Sequence, residues 1–104
     1  MKGYDIIITE PAEQDLREIT DDIVKEHKET LFTQKTINNI ADVIYNLDAI
    51  PFSNALVSDE KLVTTGIRKL MIGRYIVFYI ASEKDKTVSV VRILNFRRNW
   101  DNLL

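Results

Sequence analysis

The chain has 104 residues and no cysteine, which makes one domain able to bury roughly two thirds of its unfolded surface and excludes disulfides and thiolate metal sites. Its net charge of −2 conceals a split: residues 1–60 carry 5 Lys and Arg against 13 Asp and Glu, and residues 61–104 carry 9 against 3. This predicts a basic working surface set against an acidic one, while no apolar run approaches the ~20 residues of a membrane span and no signal-peptide pattern precedes the first strand.

Residues 4–9 read as a β-strand, because Ile6, Ile7 and Ile8 are apolar and β-branched. Thr9 follows where a helix N-cap belongs, and Glu10, Pro11 and Glu13 suit a first turn. Ala12, Leu16, Ile19 and Ile23 then recur at helical spacing, with Glu13/Arg17 and Asp21/Lys25 at i,i+4 on the opposite face. Thr30 can cap a second helix whose buried stripe is Ile37, Ile40, Ala41, Ile44 and Leu47, and Pro51 stops it. The short connection predicts an antiparallel helical hairpin.

Residues 52–65 are polar and irregular and predict a loop returning to the sheet. Three strands follow over residues 67–72, 75–81 and 87–94, separated by a Gly73 turn and the polar turn Glu83-Lys84-Asp85-Lys86. The middle strand is the most apolar and is expected to be central. The first strand should join this three-stranded antiparallel meander, since an unpaired edge is a liability. The expected fold is therefore α+β, in the order β-α-α-β-β-β, as a single domain over residues 1–104.

Catalytic signatures are sparse. The one histidine, His27, lies near a helix end and reads as a surface residue there, so a Ser-His-Asp triad is discounted. No spacing of His, Cys or carboxylates fits a metal, and no cofactor is expected; Asp21 and Asp22 project about 100° apart on a helix. What remains is cationic: Arg68 and Lys69 on one strand, Arg74 after the turn, Arg92 on the last strand, and the pair Arg97-Arg98 beside Trp100, the single tryptophan.

Simple alternation puts Arg92 on one face with Val88, Val90 and Leu94. An arginine fork binds phosphate bidentately, so a convergent set of them would suit RNA, a nucleotide or an acidic peptide. The competing reading pairs each arginine with a carboxylate of the helices; for Arg92 the functional reading is preferred. Tyr75, Tyr79 and Phe96 could stack on bases or pack. Phe78 is expected to pack on the helical hairpin, and Trp100 to anchor the C-terminal tail.

The element order, together with the segments TEPAEQDLREI, GIRKLMIGRYIVFY and VVRILNFRRNWDNLL, resembles the RelE/ParE superfamily of toxins from type II toxin–antitoxin modules. The resemblance spans essentially the whole chain and is most specific in the last strand and tail, where relatives often read R-[IV]-L-H-G-R-R-D-W. It implies a cytoplasmic, growth-inhibiting toxin of the kind linked to plasmid stabilisation, held by an antitoxin in a hetero-oligomer. RelE-like members cut mRNA on the ribosome, and ParE-like members poison DNA gyrase.

By position, the resemblance makes Arg68, Arg74 and Arg92 the phosphate-holding residues of a nuclease, with Tyr75, Lys61 or Lys69 as stand-ins for its base. Arg68, Lys69, Arg74, Arg92, Asn95, Arg97 and Arg98 are the expected target- or phosphate-binding set. The chain departs from the pattern at Asn95 and Phe96, where relatives often have His and Gly, and at Asn99, where they often have Asp. An asparagine is no general base near neutral pH. The preference is therefore for a ParE-like toxin acting on a protein such as gyrase, ahead of a ribosome-dependent endoribonuclease or a non-toxic partner-binding module. The basic sheet and tail are expected to be the side that receives the antitoxin.

Overall fold

The computed structural model describes residues 3–27, 30–49, 51, 54, 56–57 and 66–96. The elements follow the expected order: β1 (Asp5–Ile8), α1 (Glu10–His27), α2 (Thr30–Tyr45) with a 3-10 turn at Asn46–Asp48, then β2 (Ile67–Ile72), β3 (Tyr75–Ser82) and β4 (Thr87–Asn95). The sheet order is β1-β4-β3-β2. β2, β3 and β4 form the antiparallel meander, and β1 joins its far side parallel to β4. Both β3 and β4 are therefore interior.

Thr9 makes the junction between β1 and α1 rigid. Its hydroxyl donates to the Val90 carbonyl at 2.7 Å and receives the Ala12 N–H at 3.4 Å, while its own N–H also reaches Val90 O at 3.1 Å. One residue thus caps the helix and ties it to β4. Ala12, Ile19 and Ile23 of α1 and Ile40, Ile44 and Leu47 of the α2 segment are buried, together with Val77, Tyr79, Val88, Val90 and Ile93 of the sheet. This cluster is the main core. Gly73, at φ 58°, supplies the left-handed position of the β2–β3 turn.

The other sheet face carries a second buried cluster: Val57, Ile67, Ile76, Phe78 and Leu94. Phe78 is thus a core residue, but it packs away from the helical hairpin that the sequence suggested. Alternation along β3 requires this, because its neighbours Val77 and Tyr79 face the helices. Val57 reaches this cluster from the loop between α2 and β2. Leu56 bridges antiparallel to Arg68, and the Val57 N–H donates to Ile67 O at 2.8 Å. The remainder of the predicted 52–65 loop lies outside the described residues, except Asn54.

One irregularity changes the face assignments of β4. Phe78 is opposite Arg92 but Tyr79 is opposite Val90, so Val91 is an extra residue in a β-bulge. Val88 and Val90 face the helices, the bulge shifts the phase, and it is Ile93 that rejoins them, while Leu94 falls in the second cluster. The expected common face of Val88, Val90, Arg92 and Leu94 is corrected accordingly.

Candidate functional site

β1 pairs only with Thr87 to Val90 of β4. Beyond that point the edge of β4 is met by α1 instead of a strand. Asp15, on the second turn of α1, supplies the missing partner. Its carboxylate is 4% exposed and accepts the Ile93 N–H at 2.9 Å, the Arg92 Nε–H at 2.7 Å and the Arg92 Nη2–H at 2.8 Å. This is a bidentate fork on a buried carboxylate. The bond to Asp15 raises the Arg92 pKa first, against an opposing effect of burial, with the charges of Asp15 and Glu18 adding to the rise.

Asp15 was not singled out in the sequence, although a signal was present. It sits three residues after Ala12 and four before Ile19, on the same stripe as the apolar residues that fill the core. An acid on a buried stripe requires a cation, and Arg92 in an apolar strand was the residue needing an explanation. Each explains the other. The pairing of Arg92 with a helix carboxylate, the reading placed second in the sequence, is the observed one.

The remaining cations are divided between different places. Arg68 donates from Nη1 to the Asn54 carbonyl at 2.6 Å. Asn54 in turn donates through Nδ2 to the Tyr79 hydroxyl at 3.1 Å, and that hydroxyl donates to Pro51 O at 2.9 Å. Arg68 and Tyr79 face one another across β2 and β3, so together they hold the chain after α2 against the sheet. Burial raises the Tyr79 pKa above its ordinary value of 10.0, opposed by the Asn54 bond and the nearby charge of Arg68. Tyr79 is completely buried and cannot stack on a base.

Lys69 lies opposite Phe78 on β2, and its neighbour in the register, Arg92, is on the far side of Phe78. Arg74, Tyr75 and Asn95 gather at the other end of the sheet. They line a cleft of about 190 Å³ with Asp15, Glu18, Ile19, Asp22 and Ile23 of α1 and with Ile93 and Leu94. Tyr75 and Asn95 are direct neighbours across β3 and β4, and the Phe96 N–H donates to Arg74 O at 2.9 Å. Phe96 itself is 45% exposed. Arg97, Arg98, Trp100 and Lys61 lie outside the described residues.

The expected set thus separates into an arginine neutralised by Asp15, a network around Arg68 and Tyr79, a lysine on the second sheet face, and a cleft holding Arg74, Tyr75 and Asn95. Such a cleft can bind charged and polar groups, but its carboxylates repel phosphate. Among the described residues no three His, Cys, Asp or Glu side chains converge as a metal-binding group, and no helix is long and apolar enough to cross a membrane.

No curated protein matches the chain in sequence. Among solved structures it is similar to the chromosomal ParDE toxin–antitoxin system from P. aeruginosa, with TM-score 0.72 and 19% identity, covering 88% of this chain and 95% of that one. It is also similar to the RelBE2 toxin–antitoxin complex from Mycobacterium tuberculosis, with TM-score 0.65 and 17% identity over 89% and 98%. At these identities the likeness establishes the α+β fold of RelE/ParE proteins. A family model for the ParE toxin of type II toxin–antitoxin systems, parDE, matches residues 6–100, and the chain belongs to that family of toxins.

Proposed function

We propose that this toxin acts by binding a protein target of the DNA gyrase kind and does not cut RNA, and that a cognate antitoxin neutralises it in a hetero-oligomer in the cytoplasm. The observation that carries the reading is the Asp15–Arg92 pair. A nuclease of this fold needs cationic groups turned toward a phosphate whose negative charge grows in the transition state. Here the arginine of the last strand already holds a carboxylate in two charge-assisted bonds. A phosphate that took the same Nε/Nη2 edge would have to displace that carboxylate and leave it buried and unpaired, at a cost of several kcal/mol, and on any other edge it would meet a guanidinium whose charge Asp15 already balances.

The division of the other cations supports the same conclusion. Arg68 is committed to Asn54 at one end of β2, whereas Arg74 lies beyond its other end, in a cleft shared with three carboxylates. Asn95, in the place where relatives often carry histidine, cannot accept a proton in catalysis.

The test measures both activities with the purified chain. Inhibition of gyrase supercoiling with intact mRNA on translating ribosomes is expected. Cleaved mRNA with unaffected supercoiling would overturn the reading in favour of an endoribonuclease, and Tyr75 and Arg74, neighbours in the cleft, would then be the first residues to substitute. Normal growth on expression without antitoxin would instead indicate a non-toxic binding module.

A further inference from the structure

Strand β1 gains a neighbour on one side only. The Asp5 N–H donates to Lys86 O at 2.9 Å and the Thr9 N–H to Val90 O at 3.1 Å. Along a parallel ladder such bonds recur every second residue, so Asp5, Ile7 and Thr9 turn their amides toward β4. Ile6 and Ile8 turn theirs away from the sheet, and among the described residues no hydrogen bond meets them. No lysine, proline or bulge blunts this edge; only its length, four residues, protects it. The side chains of Ile6 and Ile8 pack on the core. Ile7 stands on the other sheet face and is 46% exposed.

The strand is complementary to itself. Two copies of residues 5–9 laid antiparallel about a two-fold axis at Ile7 set Ile6 opposite Ile8 of the second copy. Both carry outward amides, so each such pair exchanges both N–H···O bonds. Ile7 meets Ile7 in the closer, non-hydrogen-bonded site, where β-branched side chains pack well. Asp5 falls opposite Thr9, so no like charges face one another.

Beyond Thr9 there is room for the second chain. A groove of about 700 Å³ lies beside the strand, lined in part by Ile8 and by Glu10, Glu13 and Arg17 of α1. In this register residues 2–4 of the second copy lead along it. Their one charge, Lys2, is opposite in sign to Glu10, while Glu13 is already paired with Arg17. An acidic strand would be repelled there, and the chain's own N-terminal stretch is not.

We propose that the open edge of β1 is a self-association surface, on which two copies pair β1 to β1 in an isologous dimer with one sheet running through both. The contact is small, so the dimer is a weak one that forms at high concentration. It is separate from any target site.

Because the chain has no cysteine, the register can be tested by position on the free full chain. Opposed Cα atoms in a non-hydrogen-bonded pair are about 4.5 Å apart, within reach of a disulfide. Ile7→Cys is therefore expected to give a disulfide-linked dimer on mild oxidation. Asp5→Cys, whose two copies lie roughly 13 Å apart along the strands, should stay monomeric. Without oxidant, the sedimentation mass of the wild-type chain should rise with concentration. Ile7→Lys, solvated in the monomer but set against itself in the dimer, should weaken association about tenfold or more. Ile7→Thr keeps the β-branched shape and should weaken it less, which keeps the test readable if the lysine variant does not fold. A wild-type chain that stays monomeric, equal cross-linking at positions 5 and 7, or association indifferent to Ile7→Lys would each overturn the proposal. Pairing at this edge that appears only when antitoxin is added would assign it to that protein and also overturn it. Supercoiling is not read here, so each of these results leaves the target reading standing.

Discussion

Replacing Asp15 with alanine tests the central claim about Arg92 most directly. The substitution removes two charge-assisted bonds and leaves the Ile93 N–H without its acceptor. Breaking a buried pair by deleting one partner costs about 3–5 kcal/mol. The Arg92 side chain retains 23% exposure and can recover some hydration, so the lower end applies, about 3 kcal/mol. For a domain of this size that corresponds to a fall in Tm of roughly 12–24 °C. Asp15→Asn keeps one oxygen for Ile93 but turns an amide N–H₂ toward a guanidinium, and about 2 kcal/mol is expected. The Glu13–Arg17 pair is the internal control: it is just as short, 2.7 Å, but its side chains are 66% and 55% exposed. Removing it should cost less than about 0.5 kcal/mol. Urea unfolding followed by circular dichroism measures all of these. A loss below about 1 kcal/mol for Asp15→Ala, or no coupling between Asp15 and Arg92 in a double-mutant cycle, would refute the assignment of Arg92 to the fold.

Two further outcomes concern residues that hold the sheet. Folding holds the Tyr79 proton more tightly than the unfolded chain does. Its contribution is therefore complete below pH 10 and declines as pH rises from there through the higher folded value. The stability difference between wild type and Tyr79→Phe, about 1–2 kcal/mol at pH 8, should shrink as the pH rises above 10 in urea titrations; a constant difference would refute the cause assigned to the shift. Thr9→Ala removes both a helix cap and a hydroxyl bond to β4, and about 1–2 kcal/mol should be lost in thermal unfolding, whereas Thr9→Ser should retain most of it.

The elements were legible because each carries a local physical signature. Thr9 followed by Glu10-Pro11 marks the helix start, the isoleucine run marks β1, and Gly73 fixes the turn that sets the β2–β3 register. Burial on α1 was legible for Ala12, Ile19 and Ile23 because apolar periodicity reports it. Asp15 escaped because reading a stripe by hydrophobicity passes over the polar residue within it, even when that residue is the most informative one. The bulge at Val91 escaped for a different reason. Val-Ser-Val-Val-Arg-Ile-Leu contains enough apolar residues to satisfy a two-residue period in either phase, and only the partner strand decides where it slips. The Arg68–Asn54–Tyr79–Pro51 network joins residues 25 and 28 positions apart, and nothing local in the sequence announces it.

The parallel pairing of β1 with β4 also constrains how the molecule comes into being. Thr9 is bonded to a carbonyl 81 residues later, so β1 finds its neighbour only once Thr87 to Val90 have been made. Strand β1 and the cap of α1 must wait through synthesis of the hairpin, the loop and the meander, and contacts so distant in sequence are slow to form. A product terminated before Thr87 lacks the strand that β1 pairs with, the acceptors of Thr9 and the arginine that balances Asp15. Completion of the sheet, and with it the end of the Arg74–Asn95 cleft, is therefore coupled to synthesis of β4.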